Sequence, residues 1–68
     1  MDIRTIIDNL PSTNGIYVFL RHNIPLYIGK SVNIKARVKS HFENAKLNQK
    51  EAKLINNITD IKSIVTES

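Results

Sequence analysis

The sequence predicts a small α/β domain of the α+β type: a three-stranded, mainly antiparallel sheet flanked by helices, in the order αββααβ. Three observations carry this. Gly15–Leu20 and Leu26–Gly29 are short apolar runs separated by turn-prone residues, the signature of a hairpin. Ile34, Val38 and Phe42 then recur every four residues, which is the spacing of one helix face. Finally, 68 residues leave room for a single domain with one small core.

Taken in order, Ile3, Ile6, Ile7 and Leu10 lie on one face of a first helix, with Asp2 placed to cap it and Pro11 stopping it near Leu10. Ser12 to Gly15 form a loop, and Gly15 is expected to let the backbone enter the first strand at a tight angle. In that strand Ile16, Val18 and Leu20 point one way, and Tyr17 and Phe19 the other. In the second strand Leu26 and Ile28 alternate with Tyr27 and Gly29. A three-residue loop, Arg21-His22-Asn23, with Asn23 left-handed, would pair Tyr17 with Tyr27. A register shifted by two keeps both tyrosines on one face, whereas a slip of one would bury one of them and expose aliphatics. The next helix runs from about Asn33 to Ala45, with Arg37 and His41 on one border of its apolar stripe and Lys35 and Lys39 in solvent beyond the other. Asn48 to Glu51 resembles a capping box in which Glu51 reaches back, and it opens a helix to about Asn57. Asp60–Thr66 reads as a third strand joining the hairpin, with Ile61, Ile64 and Val65 as inward candidates.

The charge is placed unevenly. Five of the ten basic residues (Arg21, Lys30, Lys35, Arg37 and Lys39) lie between Asn9 and Phe42, where no acidic residue occurs. The hairpin and the helix after it therefore carry all of the net +4, and such a patch favours a polyanion, nucleic acid being the commonest. An ordinary solvated basic face is the competing reading. The absence of cysteine excludes a disulfide framework and a cysteine-ligated zinc site, and two histidines are too few for a histidine-built one. No apolar stretch approaches the roughly 20 residues that span a bilayer, so a soluble, cytoplasmic, monomeric domain is the expectation.

Gly15-Ile16-Tyr17, Tyr27-Ile28-Gly29, the run Gly29-Lys30-Ser31-x-Asn33-Ile34-x-x-Arg37 and the closing Phe42 together resemble the GIY-YIG nuclease domain, in particular the type at the N-terminus of the UvrC excinuclease subunit. The resemblance covers nearly the whole chain. It implies metal-dependent hydrolysis of DNA phosphodiesters, with DNA repair as the setting. Tyr17 and Tyr27 would orient or deprotonate water, Arg37 would stabilise charge on the phosphate and Lys30 would assist. The position of His41 varies between histidine and tyrosine in related domains, making it a further catalytic candidate against a plain helix-border role. Tyrosine has a pKa of about 10, so serving as a base calls for nearby cations, and Lys30 and Arg37 are placed to supply part of this. On the nucleic-acid side, Lys30, Lys35 and Lys39 are candidate phosphate contacts. Asn33 would cap the helix and shape the loop, and Gly29 would let a phosphate approach its backbone.

The resemblance also implies a divalent cation, magnesium or manganese, held by a glutamate on a helix after the third strand. This sequence stops at Glu67-Ser68, and Glu67 comes too early to be that ligand. The expectation is therefore a fragment of a longer protein with further domains, itself lacking the metal ligand. A basic nucleic-acid-binding module without catalysis is the alternative, and a small interaction domain with incidental charge is a third reading. Gly29-Lys30-Ser31 echoes the end of a phosphate-binding P-loop, but that motif needs glycine where this chain has Ile24.

Overall fold

In the computed structural model, which describes residues 2–67, the chain forms α1 (Ile3–Asp8), β1 (Gly15–Arg21), β2 (Ile24–Ser31), α2 (Ile34–Asn44), α3 (Gln49–Asn57) and β3 (Asp60–Val65). This is the αββααβ order that the sequence predicts. Each helix begins where a polar side chain meets its first free N–H groups. Asp2 accepts from the amide of Arg4, Asn33 from that of Ala36, and Asn48 from those of Lys50 and Glu51. Among the described residues no helix is long and apolar enough to cross a membrane.

The sheet is antiparallel throughout, in the order β2-β1-β3. The partner of β3, unreadable from the sequence, is β1. The hairpin departs from expectation twice. Its loop has two residues, His22 and Asn23, both left-handed at φ 48° and 70°, so that Arg21 pairs with Ile24. A bulge then follows: Leu20 pairs with Pro25 but Phe19 pairs with Tyr27, leaving Leu26 unpaired. Proline has no N–H for a ladder and is tolerated in an edge strand next to such an irregularity. Tyr17 consequently lies opposite Gly29, not opposite Tyr27.

One core holds the fold together. Ile7 of α1, Leu10 just after it, Ile34 and Val38 of α2, and Ile58 and Ile61 pack with Tyr17 and Phe19 of β1, and Leu54 and Ile55 of α3 join them. All three helices thus cover the sheet face that carries the aromatics. The expectation that a buried tyrosine would signal a wrong register is overturned, because Tyr17 is 2% exposed in the correct one. On the aliphatic face Ile28 is 65% and Ile64 60% exposed, whereas Leu20 of β1 is buried. Of the inward candidates on β3 only Ile61 is buried, since Ile64 shares the open face and Val65 sits at the strand's exposed end.

Neither glycine has positive φ, so the tight-angle role expected of Gly15 gives way to close packing. A Cβ on Gly15 would strike the carbonyl oxygen of Ile64 and the Cδ1 of Ile34. A Cβ on Gly29 would strike the Tyr17 ring and its hydroxyl. The space above Gly29 is filled by a phenol rather than left for a phosphate.

Candidate active site

The site grows out of the central strand β1, the edge strand β2 and the helix α2. Because of the bulge, Tyr17, Phe19 and Tyr27 share a face, and the two tyrosine rings stack with centroids 6.1 Å apart. Tyr27, on the edge strand, remains 41% exposed. His41 projects from α2 onto this cluster, edge-on to Tyr17, Phe19 and Tyr27 at centroid distances of 5.5, 5.1 and 5.2 Å. Its Nε2 lies 2.8 Å from the Tyr17 hydroxyl, and its Nδ1 is paired with the Glu51 carboxylate of α3.

Glu51 is the residue that sequence reasoning misses. Its backbone amide is bonded to Asn48 as a capping box requires, but its carboxylate goes to His41 instead of closing the box. The capping signature concealed it, since that pattern already explains a glutamate at this position. No local spacing links His41 to a residue on another helix.

Arg37 stands between two depressions in the surface. One, of about 340 Å³, is lined by Arg37, Ser40, His41, Asn44, Leu47, Asn48 and Glu51. The other, of about 310 Å³, is lined by Asn14, Lys30, Ser31, Val32, Arg37 and Thr66. Arg37 is exposed and its guanidinium has no hydrogen bond or ion pair among the described residues. Lys30 belongs by strand parity to the open face, opposite Ile16, yet at the strand end it reaches the depression it shares with Arg37. Asn33 caps α2 as anticipated, with the Ser31 hydroxyl accepting from its amide and donating to its carbonyl. This fixes the turn that joins Lys30 to the helix.

The remaining cations lie elsewhere. Lys39 is exposed in a groove against α1 that also holds Asp2, Asp8 and Glu43. Lys35 is half-buried, not fully solvated, and its amide bonds to the Pro11 carbonyl. Arg21 is structural: its guanidinium donates to the Asn57 carbonyl at the end of α3, the helix terminus where a cation is favoured. The basic stretch of the sequence is thus split in space.

Burial pushes the Tyr17 phenol up to about 12, reinforced by the adjoining Tyr27 and by Glu51, while Arg37 pulls the other way. The expected lowering by nearby cations is therefore reversed, because the cost of taking a phenolate out of water exceeds the attraction of one solvated guanidinium.

Residues 13–68 match the family model of the UvrC-like GIY-YIG domain. The chain belongs to the UvrC-like GIY-YIG family. It is 35% identical over 68 residues to UvrABC system protein C of Hydrogenobaculum sp. (strain Y04AAS1), covering 100% of this chain and 12% of that protein. To the protein of the same name from Borrelia duttonii (strain Ly) it is 38% identical over 68 residues, 98% of this chain and 11% of the other. The chain thus spans 12% or less of the length of these relatives. A crystal structure of the GIY-YIG N-terminal endonuclease domain of UvrC from Thermotoga maritima, bound to its catalytic divalent cation, magnesium, aligns over 100% of this chain and 76% of that one, at 26% identity and a TM-score of 0.85.

Among the described residues of this GIY-YIG chain no three His, Asp or Glu side chains are grouped to hold a metal ion. Glu51, the carboxylate at the site, is engaged by His41, and Glu67 is exposed beyond β3. The carboxylate nearest the cluster is thus already committed to His41.

Proposed function

We propose that this chain is the water-activating and phosphate-binding part of an endonuclease that hydrolyses DNA phosphodiester bonds, within a longer repair protein. The observation that carries the reading is the gathering of Tyr17, Tyr27 and His41 on one sheet face, with the unpaired Arg37 on the adjoining helix and Lys30 across the depression it borders. Hydrolysis of a phosphodiester needs a group that takes a proton from water and a cation where negative charge accumulates. The tyrosine pair and His41 fit the first need. Arg37, planar and free to meet two phosphate oxygens at once, fits the second, and Lys30 adds a point charge. The length of the relatives supports further domains as neighbours, and the endonuclease domain named for the solved one supports cleavage. A divalent cation, with ligands from outside residues 1–68, belongs to the same reading.

The test is single-turnover cleavage by the intact protein at saturating enzyme with magnesium. Arg37→Ala should lower the rate by roughly 10² to 10³, as loss of one preorganised donor does, with little change in affinity. Lys39→Ala and Lys35→Ala should instead weaken binding and reduce its salt slope by up to about one unit. Equal rates for the Arg37 and Lys35 variants would turn the reading into that of a binding module without catalysis.

A further inference from the structure

The Glu51 carboxylate meets His41 from a different helix, behind the imidazole and away from Tyr17. Both side chains are withdrawn from solvent, at 12% exposed for His41 and 24% for Glu51. An ionised carboxylate only accepts hydrogen bonds, so the proton between them sits on Nδ1 of His41. A neutral imidazole carries one N–H, which leaves Nε2 as a lone pair 2.8 Å from the Tyr17 hydroxyl. The hydroxyl must then be the donor. The chain of bonds therefore runs in one direction, from Tyr17 through His41 to Glu51, and crosses from β1 through α2 to α3.

We propose that Glu51 is a positioning residue for the cleavage reaction: by holding the Nδ1–H of His41 it keeps Nε2 ready to take the Tyr17 proton. The proposal rests on the endonuclease reading above. As the oxygen of an attacking water forms its bond to phosphorus, one of its protons passes to the Tyr17 oxygen while the Tyr17 proton passes to His41 Nε2. The bond from phosphorus to the leaving oxygen breaks, that oxygen takes a proton from solvent, and the imidazolium later returns its own proton to solvent. No negative charge has to rest on the buried phenol, which matters because burial holds it protonated. The groups facing the imidazole are Tyr17 from β1, Tyr27 from β2 and Glu51 from α3, with Arg37 one turn earlier on α2. Glu51 is the one carboxylate among them. A link that merely tied α2 to α3 would need neither this direction of donation nor any effect on rate.

The experiment combines a spectroscopic and a kinetic arm on the intact protein. With 15N-labelled histidine, the His41 resonances, identified by their loss in His41→Gln, should report an Nδ1-protonated ring in the wild type. An Nε2-protonated ring would overturn the proposal whatever the activity. In single-turnover cleavage Glu51→Gln and His41→Gln should each lose about 10²-fold, the lower end of what a positioned base supplies. The double variant should lose no more than His41→Gln alone, since the two act as one unit. DNA affinity should stay within about 2-fold, a split that a structural tie would not produce. Full activity in Glu51→Gln beside an impaired Arg37→Ala would remove Glu51 from the mechanism and leave the endonuclease reading intact. Unimpaired cleavage in both would count against the two together.

Discussion

Tyr17 and Tyr27 carry the same side chain on the same face of one hairpin, stacked 6.1 Å apart, yet one is 2% and the other 41% exposed. The difference comes from the strands that bear them. β1 is the central strand, flanked on both sides and roofed by helices, whereas β2 is an edge. Tyr17 also lies over Gly29, where the missing side chain admits its ring and hydroxyl. The buried phenol becomes a fixed member of a hydrogen-bonded chain, and the ring of the other stays partly open to solvent. Two residues of one motif thus acquire different duties from their neighbours rather than from their own chemistry.

Substituting the glycine should break this contrast most strongly. Gly29→Ala would drive a methyl group into the Tyr17 ring, and overpacking of this kind costs about 1–3 kcal/mol. Urea denaturation should show the loss, and Tyr17→Leu in the same background should relieve part of it by clearing the ring. Loss of equal size in both backgrounds would mean that the ring is not what the methyl meets.

Removing the hydroxyls one at a time sharpens the comparison further. Tyr17→Phe strips His41 Nε2 of its partner in a half-buried setting and should cost about 1 kcal/mol. Tyr27→Phe changes an exposed group and should stay within about 0.5 kcal/mol. Equal losses in the two variants would erase the distinction between a wired and a free phenol.

A last effect is one of pH. The phenol of Tyr17 is held at about 12 in the folded protein, above its ordinary value of about 10. Its contribution to stability is therefore fully present below pH 10 and is lost as the pH rises towards 12, because the unfolded chain releases the proton first. Unfolding midpoints measured from pH 9 upward should fall more steeply in the wild type than in Tyr17→Phe.

Much of this was legible in the chain itself. The three N-caps, the spacing of Ile34, Val38 and Phe42, and the stops before Pro11 and after Asn57 are local features, and local sterics and hydrogen bonding suffice to place elements from them. The shared face of the tyrosines was legible for a subtler reason. The loop is one residue shorter than Arg21-His22-Asn23 implies, which alone would turn Tyr27 onto the open face, and the bulge at Leu26 restores its parity. Pro25, awkward in any ladder, was the visible sign of that irregularity.

Three matters were decided by tertiary structure alone. Alternation separates two faces of a strand but does not say which one the helices cover. Tyr17 and Phe19 went inside and Ile28 and Ile64 outside because the bulky rings fill the space beneath α2 and α3 and keep a polar tip within reach of His41. Charge order along the chain likewise does not determine charge order in space, so Arg21 serves the end of α3 while Arg37 and Lys30 share a depression. The sequence determined that His41 follows Arg37 by one helical turn. Only the packing of α3 against α2 could bring Glu51 to it, because a contact between helices depends on how whole faces dock and not on the spacing of residues within either one.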